Sequence, residues 1–592
     1  MRYGADTGGT FTDLVAADGQ IVKVLSTPED PSRAVAAGLA QLAPARPEVL
    51  AHGTTVATNA LLERTGARVA LVTNAGFADI IEIGRQDRPS LYDIWADRPA
   101  PLVPRELRLE VAGRLDAEGA ELEPVDASGV PPIPSGVESV AVTLLHADLN
   151  PAHERAVAQA IRARGEYDIT CSHEVSPEFR EYERTVTTVV NAYLRPRCRS
   201  YLRSLAGLAD DVLVMTSAGG LIPAEEGADL AVALLLSGPA GGVIAGAAAA
   251  AEAGFPNAVT FDMGGTSTDV CLVQGGVPEP APGRVAAGFP IRLPALDIHT
   301  IGAGGGSIAR LDAGGALTVG PASAGADPGP ACYGRGGTGP TVTDADLLLG
   351  RIPGDTAFPG LGVLDREAAR HALSTAGVTA EGIVQVVDAN IEQAVRRVTA
   401  ERGVDPRDLA LVAFGGAGPL HACAIADALK MRAVVVPPRA GVLSAVGLLA
   451  APRQRDLVRS WPRPDDHEGL DLALAELSRA VRAAIGLASA QVITSVDCRY
   501  AGQSHELTVP SLEDFPAEHT RRNGYARAGA PIEVVAIRAT ARLAAPATTF
   551  GPVDRAPAVG PAVVIEPDCT VWVPPGWRAD LTTGGSWVLV RA

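Results

Sequence analysis

Aromatic residues make up only 4% of this 592-residue chain. Arginine far outnumbers lysine, a bias that fits a GC-rich coding sequence more than any function. The seven cysteines (Cys171, Cys198, Cys271, Cys332, Cys423, Cys498 and Cys569) are odd in number, far apart and never in C-x-x-C spacing. Neither a disulfide framework nor a thiolate zinc site is indicated, and the expected compartment is reducing. Long hydrophobic runs are missing too. The longest apolar stretch, residues 230–251, is broken by Ser237-Gly-Pro239, so it does not read as a membrane span. No basic and apolar leader precedes the first strand, and the expected location is cytoplasmic. Positive charge is in deficit as well: 50 basic against 68 acidic residues give a net charge of −18, which disfavours nucleic acid and anionic membrane as partners.

What is present is a chain too long for one core, expected to divide into three or four domains, with 64 glycines and 46 prolines to supply its turns. One eight-residue pattern, D-x-G-G-T-x-T-D, occurs twice, as Asp6-Thr-Gly-Gly-Thr-Phe-Thr-Asp13 and as Asp262-Met-Gly-Gly-Thr-Ser-Thr-Asp269. Each copy lies between two short apolar runs, so each predicts a hairpin with a glycine turn. Adjacent glycines let a ligand approach the backbone, and consecutive N–H groups in such a turn form an anion-binding concavity. Flanking aspartates would repel a bare phosphate, so they predict Mg²⁺ between carboxylate and phosphate. The expected ligand is a magnesium nucleotide, held by Gly8, Gly9, Thr10 and Thr12 of one hairpin and Gly264, Gly265, Thr266 and Thr268 of the other. Asp6 and Asp262 would orient the ion through water. Asp13 and Asp269 would support it or orient a nucleophile, and no residue can be assigned as the base.

Self-similarity at half-chain distance implies two related halves facing one another across a cleft, and the doubling resembles the actin, heat-shock chaperone and sugar kinase superfamily. The expected fold is α/β, a duplicated actin-like ATPase with a β-rich C-terminal domain: residues 1–180 with the first hairpin, 181–455 with the second hairpin and an adenosine motif, and 456–592 for docking. Gly304, Gly305 and Gly306, after a strand-like run, are expected to offer N–H groups to phosphate or adenosine. Gly415, Gly416 and Gly418, between a buried strand and a helix, form the expected adenosine-side turn. The long helix that begins at Thr185 is expected to stop at Pro196. His52, His146, Asp148, Asp297 and His299 read as site residues or as hydrogen-bonded anchors, and Cys332 has no base nearby to make it a nucleophile.

Longer strings narrow the resemblance. Residues 52–62, Glu82-Ile-Gly-Arg-Gln86, residues 176–184, Ser237-Gly-Pro-Ala-Gly241, Thr300-Ile-Gly-Ala-Gly-Gly-Gly-Ser-Ile308, Gly325-Ala-Asp-Pro-Gly-Pro-Ala-Cys-Tyr-Gly334, residues 340–346, Phe414-Gly-Gly-Ala-Gly-Pro-Leu-His421 and residues 499–503 resemble the A-type subunit of the hydantoinase/oxoprolinase family over nearly the whole chain. Two features depart from its pattern: Gly242 stands where alanine is commoner, and the stretch between Arg459 and Ser495 is short.

The resemblance implies ATP with Mg²⁺ or Mn²⁺, a small cyclic amide (hydantoin, 5-oxoproline or lactam) as substrate, and a separate B-type subunit as partner. An amide carbonyl is a poor electrophile, and phosphorylating its oxygen would activate it, a task of in-line positioning and charge neutralisation. Two alternatives stay open: the corresponding subunit of an acetone or acetophenone carboxylase, and a non-enzymatic actin-like nucleotide switch.

Overall fold

The computed structural model describes residues 1–592 except 10, 28, 44, 356, 359, 360 and 547–552. The chain is α/β, and two of its mixed sheets are built to one plan. In the first, β1 (Arg2–Thr7) and β2 (Phe11–Ala16) form the first glycine hairpin, β3 (Ile21–Leu25) continues antiparallel beside β2, and β4 (Val49–Thr54) and β5 (Asp211–Met215) extend the other edge in parallel. In the second, β6 (Ala258–Met263) and β7 (Thr268–Gln274) form the second hairpin, β8 (Val277–Pro278) flanks β7, and β9 (Ala410–Phe414) and β10 (Val434–Val436) follow in parallel. The parallel strands β9 and β10 are buried along their whole length, which is why they read as continuous apolar runs and not as alternation.

Three features differ from the sequence expectation. The helix α1 (Glu181–Leu205) runs straight through Pro196. Proline forfeits one helical hydrogen bond, but Val190, Leu194, Cys198, Leu202 and Leu205 are buried on both sides of it and hold the helix together. The first half does not end at residue 180, because β5 joins β4 after α1. A parallel strand can be added only after a crossover connection, and α1 is the last element of that connection. Nor is 456–592 a single unit. Gln454–Ser460, Gln491–Tyr500, Leu507–Val509 and Ile532–Arg542 form a four-stranded antiparallel sheet of their own, but β11 (Trp587–Arg591) pairs with β10, and Trp577–Leu581 pairs with β11. Trp577, Trp587 and Leu589 are buried in the second core. Short alternating strands between Pro and Gly look the same from sequence whichever sheet edge receives them.

Two helices rich in small residues fill the space between the sheets. On α2 (Gly238–Glu252), Gly242 and Gly246 pack against Phe414 and Thr260 of the second sheet. The helix α4 (Leu443–Ala450) lies so close to β1 that a methyl on Gly4 would collide with the carbonyl oxygen of Ala445. The helices touch each other backbone to backbone: a methyl on Gly241 would lie 2.6 Å from the carbonyl oxygen of Ser444, and one on Gly447 would strike the carbonyl of Gly241. Gly242, the departure from the family pattern, is explained here, since a methyl on it would stand 2.5 Å from the Phe414 ring.

Candidate functional site

The duplicated pattern folds into duplicated geometry. Asp6 stands directly across from Asp13 and Asp262 across from Asp269, at the base of each hairpin. Each turn is closed by the same bond, Gly8 N–H donating to Phe11 O at 3.0 Å and Gly264 N–H to Ser267 O at 3.1 Å. Glycines on the neighbouring strands make room for the inner carboxylates. A methyl on Gly53 of β4 would lie 2.6 Å from Asp6 Oδ1 and one on Gly238, at the start of α2, 3.6 Å from the same atom. On the other side, a methyl on Gly415, at the end of β9, would collide with Asp262 Oδ1.

The electrostatics couple the two hairpins. Asp262 is pushed well above the ordinary carboxylate range by burial, then by the charges of Asp269, Asp6 and Asp13. Burial, then Asp13, raises Asp6 to about 7. Asp269 is raised to about 6 by burial, against a hydrogen bond donated by the Thr300 hydroxyl. Asp13 is raised by burial against the opposing charge of Lys23, whose ammonium is 2.5 Å from Asp13 Oδ1. Buried carboxylates that raise one another in this way mark a candidate functional site. Asp6 Oδ1 is buried and accepts no hydrogen bond among the described residues, an oxygen of the kind a hard divalent cation or its bound water takes up. The donor set fits Mg²⁺ or Mn²⁺.

The glycines divide into two groups. Gly9, Gly264, Gly265 and Gly416 would meet no atom of the described residues within 4 Å, chain neighbours aside, if each carried a methyl, so they are open to a ligand. The trio expected to bind phosphate is instead spent on the hairpin: Gly305 N–H donates to Gly264 O at 3.0 Å, Gly306 N–H to Gly265 O at 2.6 Å, and Gly304 N–H to Ser307 Oγ at 2.8 Å. Gly304, Gly305 and Gly306 therefore brace the second hairpin from beneath. Thr343 joins this lacing by donating from N–H and hydroxyl to Gly305 O at 2.7 and 2.8 Å. Thr12 and Thr268 are likewise buried, Thr12 beside Ser26 and Thr268 donating to Ala303 O at 2.5 Å, so their hydroxyls stabilise the turns. Thr266 is exposed at the tip, and Thr10 lies outside the described residues. Gly418 is buried at the start of α3 (Gly418–Leu429), and Ala417 N–H donates to Met263 O at 2.9 Å, which ties the 415–418 turn to the second hairpin.

The other candidates are structural. His52 is buried, with Nδ1–H donating to Ala5 O at 2.9 Å and Nε2 accepting from the Tyr201 hydroxyl at 2.7 Å. Burial drives it down to about 4, so a neutral imidazole props the strand that carries Asp6. Asp148 pairs with buried Arg184 at 2.6 Å, and His146 occupies a left-handed turn. Asp297 pairs with Arg402. The Cys332 thiol is buried and pushed up by burial and Asp344, the opposite of a nucleophile. Lys23 was not singled out from sequence. Its signal is the scarcity of lysine, together with its place ten residues beyond Asp13, directly across the next strand pair.

Comparison with known proteins agrees with this geometry. The hydantoinase/oxoprolinase family model matches residues 184–456, and that of the hydantoinase/oxoprolinase N-terminal region matches residues 2–165. The chain is 34% identical to caprolactamase subunit alpha of Pseudomonas jessenii, over 99% of both chains. It is 35% identical to 5-oxoprolinase 1 of Arabidopsis thaliana, over 76% of this chain and 41% of the plant chain. The crystal structure of the ATP-dependent caprolactamase from Pseudomonas jessenii superposes with a TM-score of 0.87 at 32% identity and full coverage of both chains. With both family models in place and a full-length relative at this identity, the chain belongs to the hydantoinase/oxoprolinase family.

Proposed function

We propose that this chain is the ATP-binding subunit of an enzyme that opens a small cyclic amide, with the nucleotide seated between two actin-like halves. The observation that carries this reading is the doubled hairpin, each copy presenting an aspartate pair and open glycines, in a family whose relatives include an ATP-dependent caprolactamase. Asp6 and Asp262 would hold Mg²⁺ or Mn²⁺ through water, and Asp13 and Asp269 would support that shell or orient the nucleophile. The ion supplies neutralising charge to the phosphates. The backbone N–H groups of Gly9 and Gly265 cradle phosphate oxygens and hold the transferring group in line. The exposed Gly416 turn faces the adenosine side.

The chemistry assigned to the cleft is transfer of the terminal phosphoryl group to the amide carbonyl oxygen. The oxygen–phosphorus bond forms as the bond to ADP breaks, water then attacks the carbonyl carbon, the amine leaves to give an acyl phosphate, and a second water attacks the acyl carbon and expels phosphate with the former carbonyl oxygen. Substrate labelled with ¹⁸O in its carbonyl tests this: the label is expected in inorganic phosphate, with water oxygens in the new carboxylate. Phosphate free of label overturns the phosphorylated intermediate.

A second subunit completes the proposed enzyme. The names caprolactamase subunit alpha and acetophenone carboxylase gamma subunit, the latter 36% identical over 75% of this chain, support a multi-subunit assembly, and so does a surface built for contact. Leu91, Tyr92, Ile94 and Trp95 are 77%, 97%, 80% and 85% exposed within five residues, on a loop tied down by Arg98 to Ile83 O and Asp87 and flanked by the Arg85–Glu183 pair. Together they present on the order of 700 Å² of largely apolar surface, close to one side of a standard interface. The acetophenone carboxylase relative also favours a second reading, in which the same ATP chemistry serves a carboxylation. A requirement for bicarbonate, with no ring-opened product, identifies it.

A further inference from the structure

Of the 50 basic residues only two are lysine, Lys23 and Lys430. Lys430 is exposed and takes the left-handed position that ends α3, a structural post. Lys23 has a different setting. It stands on β3 directly across from Asp13, with its ammonium 2.5 Å from Asp13 Oδ1 and 5.1 Å from the centroid of the Phe11 ring, and Phe11 is the first residue after the hairpin turn. Its side chain is 26% exposed, so solvent and solutes reach it. Its charge opposes the raised pKa values of Asp6 and of Asp262 alike, so it acts on the inner carboxylate of each hairpin.

The charge balance of the cleft requires something of this kind. Four carboxylates face the position of a triphosphate that itself carries about four negative charges, and a single divalent ion neutralises only part of that. Arginine would seem the default cation in so arginine-rich a chain, but a guanidinium fork tends to lock bidentately onto a carboxylate. An ammonium is a point charge on a flexible four-carbon stem and exchanges partners with little rearrangement. Asp13 lies two residues beyond Phe11 at the end of the turn, roughly 7 Å along the strand, about the length of a lysine side chain.

We propose that Lys23 is a mobile phosphate ligand, which leaves Asp13 for the terminal phosphate when a nucleoside triphosphate enters and thereby frees the Asp13 carboxylate. The exchange rests on the nucleotide reading above and adds to it a cation that touches the group being transferred. In the nucleotide-free state, Lys23 and Asp13 hold each other in place. In the loaded state, the ammonium neutralises charge on the terminal phosphate, and Asp13 is left able to accept a hydrogen bond from an incoming nucleophile or from metal-bound water.

The rarity of lysine makes the test direct. Reductive methylation with ¹³C-formaldehyde, which preserves the charge, labels only Lys23, Lys430 and the amino terminus, and Lys23→Arg assigns the Lys23 signal. Mg·AMP-PNP is expected to shift the Lys23 resonance and leave that of Lys430 in place, and Mg·ADP is expected to shift it less. A Lys23 resonance unmoved by AMP-PNP, in a sample whose melting temperature AMP-PNP raises, overturns the exchange but leaves the nucleotide site standing. Failure of AMP-PNP to stabilise the protein at all overturns both. Lys23→Met separates the role from simple bracing. A ligand of the terminal phosphate predicts at least a tenfold loss of affinity for AMP-PNP with less than a threefold change for ADP, whereas equal losses for the two nucleotides refute it.

Discussion

Substituting alanine at glycines that face either open space or protein separates what the fold needs from what a ligand needs. At Gly265 and Gly416 an added methyl meets no atom of the described residues within 4 Å, and neither residue has a positive φ. The folded chain gains no strain from alanine there, and loss of unfolded-state freedom should leave the apoprotein unchanged or about 0.4–1 kcal/mol more stable. If phosphate oxygens sit on these backbone amides, the same methyl occupies their place. A ligand at 100 times its Kd stabilises by about 2.7 kcal/mol, and a hundredfold loss of affinity at that concentration leaves about 0.4 kcal/mol. Gly415→Ala is the counter-case. Its φ is +78°, and its methyl would lie 2.5 Å from the carbonyl oxygen of Met263 and collide with Asp262 Oδ1. Left-handed backbone alone costs about 1–2 kcal/mol there, and the carbonyl cannot move without disturbing the hairpin. Melting curves of the three variants with and without Mg·AMP-PNP should give two proteins that are stable but indifferent to nucleotide and one that is destabilised outright. Full nucleotide stabilisation of both Gly265→Ala and Gly416→Ala would refute the idea that these glycines are kept open for phosphate and adenosine.

Asp262→Ala should abolish stabilisation by Mg·ATP, and stabilisation equal to wild type removes that carboxylate from the site. Asp6 and Asp269 titrate near 7 and 6 in the folded protein against about 3.9 when unfolded, so the folded chain holds protons that the unfolded chain has released. Their contribution to stability is complete below about pH 4 and is lost as pH rises through 6 to 7; apoprotein melting temperature should fall across that window, and Asp6→Asn should flatten the slope in differential scanning fluorimetry. The rigorously purified single chain should open no cyclic amide, and full turnover of oxoproline, hydantoin or lactam by it alone rejects the need for a partner. Joint Tyr92→Asp and Trp95→Asp substitution should weaken assembly with the co-expressed second subunit at least tenfold by sedimentation, with nucleotide stabilisation unaffected; assembly at wild-type strength places the interface elsewhere.

The hairpins were legible because their information is local. Eight residues specify two strand ends, a turn and two cross-strand carboxylates, and writing them twice discloses the duplication. What escaped was information held by partners far away in sequence. Gly304 to Gly306 have the composition of a phosphate turn, but Gly264 and Gly265, some 40 residues earlier, consume the amides of Gly305 and Gly306, and Ser307 takes that of Gly304. Pro196 is a stop signal overridden by burial along α1, and the strands after residue 557 do not announce whether they close their own sheet or extend an earlier one. Lys23 escaped for another reason: a single lysine on a partly exposed strand is ordinary until the cross-strand register sets it against Asp13.

The two inner carboxylates are not held independently. Helix α2 begins at Gly238 beside Asp6, and one turn later Gly242 rests on Phe414, the residue paired across the sheet with Asp262. The same helix lies backbone to backbone on α4, which in turn lies on β1, the strand that carries Asp6. Contacts of backbone on backbone have no side chain to absorb a displacement, and close-packed interiors transmit strain. A change in the separation of the sheets must therefore move Asp6 relative to Asp262, and a ligand that bridges the two carboxylates must set that separation. Alanine at position 242 would press on Phe414, so in this chain the glycine keeps the spacing at which both carboxylates reach the cleft.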